Sequence, residues 1–101
     1  MEFIKEFAAA FKAPEDDFKA IYLIKMTDLN KNLVLEVANR KLRCYYGEAE
    51  NADVTATTNR DTVNTIVNGR ATFQGSFMSS KITCKGDFKL LRTFDQLFRF
   101  E

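Results

Sequence analysis

A chain of 101 residues, 46% hydrophobic and 29% charged, is the right size for one domain and has the composition of a folded globular one. Its 15 basic and 14 acidic residues leave a net charge of +1 with no basic block, so the electrostatic footprint of a nucleic-acid binder is missing. There is no His, which removes the commonest general base and metal ligand, and no run of apolar residues long enough to span a membrane.

From Phe3 to Phe11, apolar residues at Phe3, Ile4, Phe7, Ala8 and Phe11 have helical spacing. The predicted helix runs from Glu2 to Lys12, and Pro14 ends it. Glu15, Asp16 and Asp17 form an acidic connection that reads as a solvated turn. Phe18 to Thr27 alternates as a strand, with Ala20, Tyr22, Ile24 and Met26 on one face. Ile21 and Leu23 on the other predict partial cover there too. Leu33 to Ala38 and Leu42 to Tyr46 follow as strands across short polar turns, and Asp53 to Thr58 is a fourth.

Thr58 to Asp61 has capping-box spacing before a short helix burying Val63, Ile66 and Val67, with Gly69 where a left-handed terminal residue is wanted. Thr72 is placed to cap a further helical turn to Met78, weakened by Gly75, and mobility is expected there. Lys81 to Lys85 is a fifth strand, Gly86 turns the chain, and Asp87 caps a last helix. That helix carries Phe88, Leu90, Leu91, Phe94, Leu97 and Phe98 on one broad face. The order predicts an α+β fold: a five-stranded, mostly antiparallel sheet with helices packed on one face, residues 1–101 forming a single domain.

No residue nominates itself for catalysis, so the chain reads as a non-enzyme without cofactor or metal. Glu36 and Lys25, at strand centres, are the nearest thing to an acid–base pair, as an isomerase-like cone would need. Cys44 and Cys84 read as small buried hydrophobes of a reducing compartment. The first twelve residues do not have the pattern of a secretory signal. A cytoplasmic location is expected.

The unusual count is ten Phe, with three Tyr and no Trp. Either they fill a core, or several of them line an apolar pocket. Gly69-Arg70, Gln74, Phe77-Met78, Lys81-Ile82 and Gly86-Asp87 resemble the motif series of the sterol carrier protein family of lipid-binding domains. Ala52-Asp53-Val54-Thr55 and Leu33-Val34-Leu35-Glu36-Val37 resemble two of its strands. Phe73 stands where that family often has Pro, and Ser80 where it usually has Gly.

The resemblance implies a hydrophobic tunnel between sheet and helices, holding a fatty acid, acyl-CoA, sterol or phospholipid. Phe73, Phe77, Met78, Phe88, Leu91, Phe94 and Phe98 are expected around the ligand, Ile24, Met26 and Leu35 as its floor, and Gln74 as a polar contact. Arg92 is considered for a head group. The terminal helix is expected to lift for entry, because few residues follow it. The partner is then a lipid or fatty-acyl ligand, with transient membrane contact allowed and a monomer or weak dimer expected. The alternative is a non-catalytic interaction or dimerisation module of the same fold, as found attached to larger enzymes.

Overall fold

The computed structural model describes residues 3–100; Glu2, the expected helix start, lies outside them. The elements are α1 (Phe3–Ala10), β1 (Ala20–Met26), β2 (Lys31–Ala38), β3 (Lys41–Tyr46), β4 (Val54–Thr58), α2 (Arg60–Val67), α3 (Phe73–Met78), β5 (Thr83–Gly86) and α4 (Lys89–Leu97). The strands form one sheet in the order β3-β2-β1-β4-β5. Every pairing is antiparallel except β1 with β4, because the chain leaves edge strand β3 and crosses to the far side of β1 before β4 begins.

Register follows the alternation. Leu35, Tyr22 and Val54 face one another across three strands, as do Leu33, Ile24, Ala56 and Cys84 across four. These residues are buried under the helices together with Phe3, Phe7, Val63, Ile66, Phe73, Leu91, Phe94 and Leu97. Among the described residues no helix covers the opposite sheet face, yet Leu23 and Val34 are buried there, at 4% and 0% exposure. Tyr45 is opposite Val34, and the Arg43 guanidinium lies 4.9 Å from its ring, so long side chains supply the cover expected for β1.

Several ends are set by left-handed residues. Asn39 and Arg40, at φ 54° and 63°, make the two-residue β2–β3 turn. Helix α2 ends at Gly69, φ 74°, with the Gly69 and Arg70 N–H groups returning to the carbonyls of Ile66 and Thr65. Helix α3 repeats this ending with Ser80, φ 65°, whose N–H donates to Phe77 O while Lys81 N–H donates to Ser76 O. A glycine would take this left-handed conformation at less cost than Ser80 does. The same bonds hold Lys81 to α3, so β5 begins at Thr83 rather than Lys81.

Two caps move. Thr58 closes β4 and its hydroxyl donates to Lys81 O, so Asn59 caps α2 instead, accepting from Thr62 N–H at 2.9 Å. Thr72 caps α3 where the sequence puts it, accepting from Gly75 N–H; at α4 the capping position falls on Phe88, which makes no side-chain cap bond, and Asp87 accepts the Lys89 N–H from one residue before it.

Candidate aromatic site between the helices and the sheet

Seven of the eleven expected ligand residues fall in one buried cluster. Phe94, fully buried, is its centre. Its ring stacks on Phe73 at 4.3 Å and meets Phe98 at 4.7 Å, Tyr22 at 5.0 Å and Phe7 at 6.0 Å. Leu91 from α4 and Ile24, Met26 and Leu35 from the sheet belong to the same core. Edge-to-face and offset ring pairs of this kind stabilise by roughly 0.5–1.5 kcal/mol each beyond area burial. The rings therefore meet one another and fill the space between layers.

The remaining four are not in this interior. Phe77 is half-buried and stacks on Phe88 at 5.4 Å, while Phe88 is 53% and Met78 76% exposed. Gln74 is half-buried, and its backbone N–H donates to Asp95. Arg92 is exposed on α4. A concavity of about 420 Å³ opens between the α2–α3 connection and the end of the described chain. It is lined by Arg70, Asp95, Phe98, Arg99 and Phe100 among others; of the expected ligand residues only Phe98 reaches it.

Periodicity did not bring forward Asp95 or Tyr22. The Asp95 carboxylate, on α4, accepts the N–H groups of Phe73 at 2.7 Å and Gln74 at 3.0 Å, two of the orphan donors that open α3. Burial pushes its carboxyl above the usual range, and the two N–H donors pull the other way. Nothing in helical spacing marks such a residue, since Asp95 reads as one more polar position. The Tyr22 hydroxyl donates to Leu90 O at 2.8 Å from under α4. Burial, then the negative charges of Asp53, Asp95 and Asp87, raise its phenol well above the normal value. Asp53, in the motif noted above, accepts Ile21 N–H at 2.8 Å and so pins the start of β1 to β4.

The expected freedom of α4 to lift at its end is corrected. Lys12 N–H donates to Leu97 O at 2.6 Å and Arg99 N–H to Ala10 O at 2.9 Å, around a bridge between Phe11 and Phe98. Phe7 meets both Phe98 and Phe100 at 5.4 Å. The few residues after α4 are enough to tie it to α1.

Glu36 and Lys25 share the sheet face that lacks helices, where Glu36 lies 3.7 Å from Arg43 and Lys25 is exposed. No cone encloses them. Burial pushes the Cys84 thiol to about 11, which makes it a poor nucleophile. Among the described residues, no three His, Cys, Asp or Glu side chains are grouped to hold a metal ion, and no helix is long and apolar enough to cross a membrane.

No curated protein matches the sequence. Solved structures do resemble the fold. The stereoselective inverting sec-alkylsulfatase Pisa1 from Pseudomonas sp. superposes with a TM-score of 0.81 at 20% identity, over 98% of this chain. This chain spans only 16% of that enzyme's length. Sterol carrier protein 2 like 2 from Aedes aegypti superposes at 0.67 and 19% identity, covering 95% of this chain and 90% of its own. The palmitated form of the same protein gives 0.63 at 19% identity, over 96% and 92%. The pattern of the SCP-2 sterol transfer family matches residues 5–99, and the chain belongs to that family.

Proposed function

We propose that this chain is a lipid-binding and lipid-transfer module that takes an apolar acyl or sterol body between α3–α4 and the sheet. The observation that carries the reading is the family match together with the Phe73–Phe94–Phe98 cluster at that interface. The palmitated mosquito relative shows that a protein of this fold takes a fatty-acyl chain. Transfer of an acyl chain from water is favoured by about 0.8 kcal/mol per buried methylene and needs no catalytic group. Because rings occupy the interface, uptake requires them to part. The eleven residues Ile24, Met26, Leu35, Phe73, Gln74, Phe77, Met78, Phe88, Leu91, Phe94 and Phe98 are the proposed ligand environment, Phe77 and Phe88 at its rim.

Titration with a fluorescent fatty acid tests this. Saturable uptake at one ligand per chain is expected, and Phe77→Asp, at a half-buried site, weakens it by about tenfold or more. No saturable uptake by the folded wild type overturns the reading.

A second reading has an observation of its own. The superposition on the sulfatase is better than on the separate carriers from Aedes aegypti, 0.81 against 0.67 for the like-2 protein and 0.69 for the like-3 protein, although the chain spans a small part of that enzyme. On that reading the module is a non-catalytic accessory or dimerisation domain with a permanently filled core. A tight dimer by light scattering with no lipid uptake favours it.

A further inference from the structure

The concavity of about 420 Å³ between the α2–α3 connection and Arg99 carries hydrogen-bond donors that the protein leaves unused. Arg70 and Arg99 line it and are exposed; the bonds they donate come from their backbone N–H groups, to Thr65 O and Ala10 O. Neither guanidinium is ion-paired, since among the described residues the one ion pair joins Arg43 to Glu36. The Ala71 and Thr72 N–H groups, in the same wall, also reach no acceptor among the described residues. Asp95 is the one acid of the lining, and both its oxygens are spent on the Phe73 and Gln74 N–H groups. Arg99 borders two neighbouring concavities as well, with Glu6 and Lys12 in one and Lys12, Glu15 and Asp16 in the other, but pairs with none of these acids. The floor is apolar: Ile66 and Phe98 are buried, and the half-buried Phe100 ring lies nearly parallel to Phe98 at 6.4 Å.

We propose that this concavity binds a compact phosphate monoester with a flat apolar body. Arg70, Arg99 and the Ala71 and Thr72 N–H groups take the phosphate, and Phe98 and Phe100 cover the body. Two arguments select this class. Donor count is the first: two guanidiniums and two N–H groups offer more donors than the two oxygens of a carboxylate can use. A phosphate monoester brings three terminal oxygens and a charge of about −1.5 to −2. Shape is the second. The concavity does not continue inward, because Phe98 closes on Phe94 at 4.7 Å and on Phe7 at 5.4 Å. A long tail there would stay in water, whereas a single ring is covered by its neighbours and pairs with them. The site goes beyond the lipid-transfer reading and stands whether or not the core opens.

Phenyl phosphate titrated into the whole chain tests it, followed by the amide NMR shifts of Arg70, Ala71, Thr72 and Phe100. Saturable binding with a Kd of about 1 mM or tighter is expected. Inorganic phosphate, which lacks the ring, and phenol, which lacks the charge, should each bind at least about fivefold more weakly. Arg70→Ala/Arg99→Ala removes two exposed side chains, keeps the backbone bonds and weakens binding about fivefold or more. The charge-matched control Lys89→Ala/Arg92→Ala, on the exposed side of α4, leaves it within about twofold. Adenosine monophosphate separates two sources of this chemistry: tighter binding than phenyl phosphate assigns a nucleotide, weaker binding a simple aryl phosphate, and both support the site. No saturation by about 10 mM phenyl phosphate, equal binding of inorganic phosphate, or an equal loss in the control overturns the proposal. So does loss of phenyl phosphate binding in Phe77→Asp, which would move the ligand to the aromatic core. Fatty-acid titration of the same proteins reports the lipid-transfer reading separately.

Discussion

At the scale of single residues, backbone geometry decides more than side-chain chemistry. Gly86 sits at φ 114° opposite Val54, and a Cβ there would lie 2.1 Å from the Asp53 carbonyl oxygen. That carbonyl already accepts the Asp87 N–H, so neither strand can retreat without breaking the corner that launches α4. Gly86→Ala is therefore expected to destabilise by more than about 2 kcal/mol. Ser80 is the opposite case. It carries a side chain at φ 65°, where an L residue costs roughly 1 kcal/mol and glycine costs less. Ser80→Gly should stabilise by up to about 1 kcal/mol, because the two N–H bonds that end α3 are backbone bonds and survive the change. Urea unfolding midpoints read both predictions, and a stabilised Gly86→Ala or a destabilised Ser80→Gly contradicts the account.

At the scale of elements, α3 is too short to hold itself, and α4 supplies what it lacks. Thr72 satisfies one orphan donor from within, and Asp95 satisfies two from outside. Asp95→Ala should cost about 1–2 kcal/mol, at the upper end of a cap because two donors are stranded. The pH dependence follows from the raised carboxyl. The folded state holds its proton to higher pH than the unfolded state, so this group's contribution is fully present below the unfolded value and is lost as pH rises through the folded one. The margin of wild type over Asp95→Ala is thus expected to grow on acidification through that window. A margin that shrinks there contradicts the burial argument. This contact also marks the limit of what the sequence made legible. The strand faces, the Gly69 ending and the Thr72 cap were all readable, because each depends on neighbours a few positions away. The parallel β1–β4 pairing, the Asp95 cap and the Tyr22–Leu90 bond join residues 21 or more positions apart, and alternation carries no record of them. The aromatic cluster was half legible. Its members stood out by type and spacing, but whether ten Phe enclose a space or fill it depends on how rings from α1, α3 and α4 meet.

At the scale of the whole molecule, a filled interior and a lipid-transfer role are compatible only if one side of the helical layer opens. The two ends of α4 differ in how they are held. Its C-terminal end is fastened to α1 by the Phe11–Phe98 bridge, by backbone bonds on either side and by the Phe7, Phe98 and Phe100 rings. Its N-terminal end is held by the Asp87 N–H bond to Asp53 O, by the half-exposed Phe77–Phe88 stack and by one long-range side-chain bond, Tyr22 to Leu90 O. The ties at Phe98 are the denser set, so the opening is predicted at the Phe88 end, beyond the Asp87 corner. Tyr22→Phe removes only the hydroxyl, at a cost of about 1 kcal/mol, and leaves the ring against Phe94. It is expected to raise the rate of fatty-acid uptake about fivefold, with a smaller change in affinity, since the bond must break for entry but touches no guest. Amide exchange should report the same asymmetry: Leu90 and Leu91 N–H groups exchange faster than that of Arg99, which donates to Ala10 O. Slower exchange at Leu90 than at Arg99, or unchanged uptake in a folded Tyr22→Phe, would place the opening at the other end of α4 and would require the Phe11–Phe98 bridge to break on each transfer.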